Sequence, residues 1–368
     1  MDRREFLSRS LLSAAAVAPL CRSLRAAITG PIELGLNTYC LRFQRWNDAQ
    51  LLDYVGSLKL DAVFLQDSID PGTNDPAHWK EVRDHAKRVG LHLETGGGSI
   101  LPKKEEDFQK SVKTLEQNLE RAAGMGSKVC RANLAGDHRG LPRPTNEENI
   151  ELALRVLKAV RTRALDLGVK VAMEIHKDLQ SWEHKQIIEG AGRDLAGTYL
   201  DTANPVYVAE DPMVAVETLG PYAVTVHLRD SVIYEHPRGA CVQWVPLGEG
   251  VVDFKKIVAK VRELCPPVRL FVKPITGRPP DVIPYLEAEF WKSYPKARAG
   301  EFARFVALAK AGRPYEKHVV IEEIQGKPIP PQFQEAMKFQ QREHMERSVE
   351  YAKKELGLGV RWKSTKDE

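Results

Sequence analysis

The chain has 368 residues, 43% of them apolar and 28% charged, with 54 Lys and Arg against 50 Asp and Glu for a formal charge of +4. That balance excludes a disordered, fibrous or membrane-spanning chain, and a charge this small over this length gives no argument for nucleic acid. Five scattered cysteines exclude a disulfide scaffold and a CxxC zinc site.

The chain opens Asp2-Arg3-Arg4-Glu5-Phe6-Leu7-Ser8, followed by a short apolar run from Leu11 to Leu20 and then Arg22, Arg25, Ala26 and Ala27. Paired arginines ahead of a short apolar segment resemble a twin-arginine export signal, here assigned to residues 1–30, with cleavage near Ala26. The run is too short for a stable membrane anchor. The expected location is therefore periplasmic or otherwise exported, and cargo on this route is exported already folded, often with its cofactor loaded. Removing residues 1–26 takes away five arginines and two acids, which leaves 49 basic against 48 acidic residues and a net charge near +1.

From Pro31 onward, short apolar runs alternate with longer amphipathic ones. The strand-like runs are Ile32–Thr38, Ala62–Gln66, Leu91–Glu94, Lys128–Asn133, Val169–Glu174, Gly197–Asp201, Ala223–His227 and Val268–Val272. Helical periodicity covers Asp48–Ser57, Pro76–Val89, Glu105–Ala123, Asn146–Leu167, Trp182–Ala191, Asp211–Leu219 and Asp253–Leu264. Several helices open on Asp or Asn, the capping chemistry of βα units. Eight units in residues 31–312 predict an α/β fold, a (β/α)8 TIM barrel. An open doubly wound sheet would carry a Gly-rich phosphate turn after its first strand, where this chain has Leu36-Asn37-Thr38-Tyr39. Residues 313–368 form a C-terminal extension: a loop at Lys327–Pro331 and a polar helix over Gln332–Leu356, free to pack under the barrel or to join a homo-oligomer.

Function in a parallel barrel sits at the C-terminal ends of the strands. Alternation aims Glu174, then Tyr199 and Asp201, then Thr225, His227 and Arg229 into the barrel. Glu174, Asp201 and His227 close three successive strands at spacings of 27 and 26 residues. Two carboxylates and an imidazole suit a divalent metal, Mn²⁺ first and Mg²⁺, Co²⁺ or Zn²⁺ behind it, with positions open to substrate oxygens.

The segments Met173-Glu174-Ile175-His176, Leu200-Asp201-Thr202-Ala203-Asn204, Val226-His227-Leu228-Arg229-Asp230 and Leu247–Phe254 together resemble the xylose isomerase-like barrels of the sugar phosphate isomerase/epimerase group. The resemblance runs from about Ile32 to Lys310. It implies that Glu174, Asp201 and His227 hold a metal that grips adjacent oxygens of a sugar, with Glu174 doubling as acid and base.

The family places a second Glu at the end of strand eight, and this chain has Lys273 there. A protonated amine cannot ligate a cation. Three outcomes stay open at this point. The metal survives on three protein ligands and water; or Lys273 has a lowered pKa and transfers protons; or the metal site is lost and Lys273 pairs with Glu174 or Asp201.

Glu174 and Lys273 are thus the candidates for proton transfer. Candidates for substrate contact are Arg131, which ends strand four with Asn133; His176 and Asn204, beyond the ligands; Arg229; and Glu94, before the permissive turn Gly96-Gly97-Gly98. Gln243 and Trp244 lie in an insert after strand seven that would serve as a lid, with an exposed aromatic for a sugar face. Asp67, Asp70 and Asp75 read as loop and capping residues.

The expected activity is isomerase- or epimerase-like: metal-assisted proton abstraction next to a carbonyl of a small, unphosphorylated carbohydrate, since sugar phosphates are mainly cytoplasmic. One alternative is a lyase that cleaves a keto-glycoside by β-elimination. Another is a non-catalytic carbohydrate-binding barrel that has lost the fourth ligand. An abasic-site nuclease of the same barrel group needs more histidines, and Asn204 stands where it would have one. No nucleic acid is expected as a partner.

Overall fold

The computed structural model describes residues 28–66, 74–324 and 327–364. The export signal at residues 1–30 lies almost wholly outside these residues, as do Asp67 and Asp70. Among the described residues no helix is long and apolar enough to cross a membrane.

Eight parallel strands close into a barrel. They are β1 (Leu34–Asn37), β2 (Ala62–Gln66), β3 (His92–Ser99), β4 (Val129–Asn133), β5 (Lys170–Glu174), β6 (Ala196–Asp201), β7 (Ala223–Leu228) and β10 (Leu270–Val272). The ring closes where Leu36 of β1 pairs with Val272 of β10 on one side and Val63 of β2 on the other. Each strand sits within a few residues of its apolar run. Alternation explains the two layers: Leu34, Leu36, Leu270 and Val272 face the helices, while Ala62, Phe64, Ala172, Tyr199 and Phe271 fill the barrel. Gly35 points inward, where a Cβ would come within 2.6 Å of both the Ala62 carbonyl and the Phe271 ring, so only glycine fits.

The helices carry the caps their sequences promise. Asn47 and Gln50 form a reciprocal box on helix Asp48–Ser57, Thr145 and Glu148 do the same on Asn146–Ala159, and Asp75 caps Pro76–Arg88. One predicted helix, Asn146–Leu167, breaks at Val160 into two.

Two features depart from the sequence reading. Strand β3 runs on through Gly96-Gly97-Gly98 to Ser99, so its mouth end lies five residues beyond Glu94. Gly96 is needed there because a Cβ would strike the backbone of Arg131 on β4. The insert after β7 is a hairpin, β8 (Asp230–His236) and β9 (Gly239–Val245), joined by β11 (Asp281–Ile283) into an antiparallel sheet. Helix Ala299–Ala311 backs it, and Ile233, Val242, Ile283, Phe305 and Ala309 give it a small core of its own.

The C-terminal helix is present as Gln334–Lys354 and is built into the barrel wall rather than standing apart from it. It lies against β10 and the 3₁₀ turn Thr38–Gln44, and its Met345, Val349 and Ala352 join the main core. Beyond it, the Gly359 N–H donates to the Ile32 carbonyl at 2.9 Å. The Asp61 carboxylate accepts from the N–H groups of Leu34, Val360 and Arg361.

Candidate active site

The ends of β4, β5, β6, β7 and β10 bring five charged side chains together. Glu174 Oε2 accepts from Arg131 Nε at 2.5 Å and Glu174 Oε1 from Lys273 Nζ at 2.8 Å. The same ammonium lies 3.2 Å from Asp201 Oδ2, which also pairs with Arg229. Asn204 ties the row together: its Nδ2 donates to the Ile175 carbonyl at 3.0 Å and to Glu174 at 3.4 Å, and its Oδ1 accepts from Arg229 at 3.3 Å. The Ala203 and Asn204 N–H groups hold Asp201 Oδ1 at 3.0 and 3.1 Å. The result is a buried alternation of Arg131, Glu174, Lys273, Asp201 and Arg229.

Burial in this row works against every charge, and the neighbours decide which survive. Burial disfavours the Glu174 carboxylate, but Arg131 and Lys273 outweigh it and hold the carboxyl well below the usual range. Burial pulls the Lys273 ammonium down, with Glu174 and Asp201 opposing. His176 is pushed down to about 4 by burial, so its imidazole is neutral near pH 7. Burial and the Lys273 charge likewise keep His227 neutral.

The expected metal triad does not assemble. His227 is a layer of the barrel interior, stacked on Tyr199 at 3.8 Å and on Phe271 at 4.9 Å, with the edge of Phe64 at 4.8 Å and its Nε2 3.3 Å from Thr225 Oγ1. Every carboxylate oxygen of Glu174 and Asp201 already has a donor. Among the described residues no three His, Cys, Asp or Glu side chains are grouped to hold a metal ion. The residues present therefore do not fit a divalent metal, because Lys273 stands between the two carboxylates where the ion would have to sit. Of the three outcomes left open by the sequence, the geometry is that of the third.

Above this row a cavity of about 780 Å³ opens at the barrel mouth. Arg131, Asn133, His176, Arg229, Trp244 and Lys273 line it, as the sequence suggested. Glu174, Asp201, Asn204 and His227 do not; they lie behind, fully buried. Glu94 is not at the mouth at all: because β3 extends to Ser99, its carboxyl lies toward the opposite end of the barrel, beside Arg269 at 3.4 Å. There burial pushes its carboxyl up to about 7. Trp244 is buried rather than exposed, with the Arg229 guanidinium 4.3 Å over its ring, and Gln243 is off the cavity. The insert is thus a wall of the cavity.

Sequence reasoning missed Tyr39, Gln66, Ser99, Arg139, Lys177, Tyr207 and Arg278, which also line the cavity. Gln66 and Tyr39 end or follow strands, so the strand-end rule that found Glu174 would have found them. Arg278 comes from the loop after β10, where no periodicity speaks. Six lining residues are basic and one, Asp281, is acidic, so the walls offer hydrogen-bond donors to an oxygen-rich ligand. Lys177 stacks its ammonium 4.8 Å over the Tyr207 ring. Four lining residues hold a buried polar atom without a partner: Asn133 Oδ1, His176 Nδ1, Arg229 Nε and Trp244 Nε1.

Comparison with known proteins agrees with the fold. The xylose isomerase-like TIM barrel family matches residues 52–265. An uncharacterized protein of Escherichia coli, YihM, is 24% identical in an alignment of 232 residues that covers 59% of this chain; the chain spans 63% of that relative. A xylose isomerase-like barrel of Mycobacterium smegmatis, solved in complex with magnesium, is 15% identical with a TM-score of 0.53, covering 76% of this chain and 96% of that one. D-psicose 3-epimerase of Clostridium cellulolyticum, solved with D-tagatose, is 13% identical with a TM-score of 0.53, covering 75% and 96%.

Proposed function

We propose that this chain, which belongs to the xylose isomerase-like TIM barrel family, is a sugar isomerase- or epimerase-like enzyme that removes a proton next to a carbonyl of an unphosphorylated carbohydrate. The observation that carries the reading is the donor-rich cavity over the buried charge row, with six basic side chains and one acidic one on its walls. The export signal assigned to residues 1–30 belongs to the same proposal, since it places the protein where sugar phosphates are scarce.

In this reading Arg131, Arg229 and Asn133 hold the hydroxyls, and Lys273 donates to the carbonyl oxygen and stabilises the enediolate that develops there. Burial draws the Lys273 pKa down, and Glu174 and Asp201 favour the charged form against it. Glu174 itself is covered, and Arg131 and Lys273 lower its basicity; the base at the cavity wall is His176, whose imidazole is neutral near pH 7 and takes the proton, with its own basicity lowered by burial. Glu174 then acts through Lys273, as a positioning residue. A volume of about 780 Å³ leaves room beyond a single sugar ring, and this favours a second reading, β-elimination from a keto-glycoside with the same two groups.

Incubation with free ketoses and with keto-glycosides in deuterated water separates these readings. Deuterium at the carbon next to the carbonyl, without cleavage, is the result expected of the isomerase, and His176→Gln should lower that exchange by ~100-fold or more. Release of the aglycone would replace the first reading with the second. Absence of both would sink the enzyme.

A further inference from the structure

We propose that the Lys273 side chain is the resident cation of this barrel mouth: it takes the place of a divalent metal and makes the site metal-independent. Three observations carry this, and none depends on the substrate.

The first is position. Nζ lies 2.8 Å from Glu174 Oε1 and 3.2 Å from Asp201 Oδ2, so one ammonium bridges the two carboxylates that a metal would have to bridge.

The second is saturation. Glu174 Oε2 is taken by Arg131, Asp201 Oδ1 by the Ala203 and Asn204 N–H groups, and Asp201 Oδ2 additionally by Arg229. A metal entering here would displace charge-assisted hydrogen bonds rather than fill an open shell.

The third is charge. Three buried cations already face two buried carboxylates, an excess of one positive charge with both imidazoles neutral. A divalent ion would raise that excess to three in a water-poor site, where like charges repel most strongly.

The ammonium can do part of a metal's work. It has three N–H donors; two are spent on Glu174 and Asp201. Lys273 also lines the cavity, so the third is the one available to an oxygen of a bound molecule. It supplies one hydrogen bond and one charge where a metal would grip two oxygens. The chain is thereby committed to a single polarised oxygen at this point, with Arg131 and Arg229 on either side for its neighbours.

The test uses metal alone. The full chain, freed of small molecules by gel filtration, is assayed for bound metal and melted with Mn²⁺, Mg²⁺ or Zn²⁺ and with chelator. The expected result is less than a tenth of an equivalent of metal and no change in Tm, against a rise of at least ~2 °C for a protein that binds the ion well. Lys273→Glu, which puts a third carboxylate beside Glu174 and Asp201, should gain a Mn²⁺-dependent rise in Tm. If that variant does not fold, Lys273→Gln, neutral and of similar length, should gain a smaller one. Stoichiometric metal in the unaltered chain, or a Tm that rises with Mn²⁺, overturns the proposal, as does a folded variant that remains indifferent to metal. Because no substrate enters, its failure and the failure of the isomerase reading are told apart.

Discussion

At the residue scale the buried charge row is where single changes should tell most. Arg229 is 1% exposed and Asp201 is wholly buried, so neither can turn to water when its partner is removed. Replacing one member of such a pair strands the other, at a cost of ~3–5 kcal/mol. Asp201→Asn, which leaves three buried cations facing one carboxylate, should therefore lose about that much in denaturant unfolding, and Arg229→Met in the same chain should recover a good part of it by removing the stranded charge. Additive losses in the double variant would mean that the two do not act as a pair. The row also marks what one sequence can and cannot tell. Strand alternation aimed Glu174, Asp201, His227 and Lys273 inward, and each does point inward. Height along the barrel axis is another matter. It is set by register between neighbours, such as Asp201 opposite His227, and by stacking, such as Tyr199 on the His227 ring. Neither is a property of a single strand, so a triad that reads well by spacing leaves one member among the aromatics.

At the element scale the strands were legible because their apolar runs are short and bounded, and β2 falls on its predicted limits, Ala62–Gln66. Strand β3 was the exception. Glycines carry no side chain to alternate, so Gly96-Gly97-Gly98 reads as a turn, yet it continues the strand, and at Gly96 the Arg131 backbone approaches too closely for any other residue. That error alone moved Glu94 from one end of the barrel to the other. Helix Ser181–Ala191 shows a further device that no local pattern announces. Glu210, 29 residues on, reaches back to accept from the Ser181 N–H at 3.2 Å and to bond the Ser181 hydroxyl. Burial pushes its carboxyl up to about 8, although the Ser181 bonds pull the other way. An unfolded chain releases this proton near the ordinary 4.5, whereas the folded chain keeps it until about 8. Between those values the unfolded state binds fewer protons, so this group makes stability fall as pH rises through the window. Glu210→Gln keeps the cap without the titration, and its Tm should decline less from pH 5 to pH 8 than that of the unaltered chain. Parallel Tm curves for the two would show that Glu210 titrates normally in the fold.

At the scale of the whole molecule the chain's end closes its beginning. Sequence periodicity stops at Gly312, and a boundary there is the natural reading of a loop followed by a polar helix. Only one face of the helix is covered: Met337, Met345, Val349 and Ala352 are buried together with the polar Gln340, Gln341, His344 and Ser348, while the opposite face meets water. That face is enough to seal the seam where β10 meets β1, over Leu34, Leu36, Leu270 and Val272. Polar ties reinforce it. His344 Nδ1 lies 2.7 Å from Thr276 Oγ1 just past β10, the Leu247 N–H donates to Ser348 Oγ at 3.1 Å, and Asp61 at the start of β2 accepts from Val360 and Arg361. Cutting the chain after Gly312 would therefore open a strip of barrel wall and leave the buried Asp61 carboxylate short of two donors, a loss argued from burial and hydrogen bonding rather than from position in the sequence. A chain ending at Gly312 should be insoluble or should melt without a cooperative transition, whereas one ending at Ser364 should melt within a few degrees of the full chain. A soluble, cooperatively melting chain ending at Gly312 would restore the separate extension and would return the seam between β10 and β1 to the surface, as a place for a second subunit to cover.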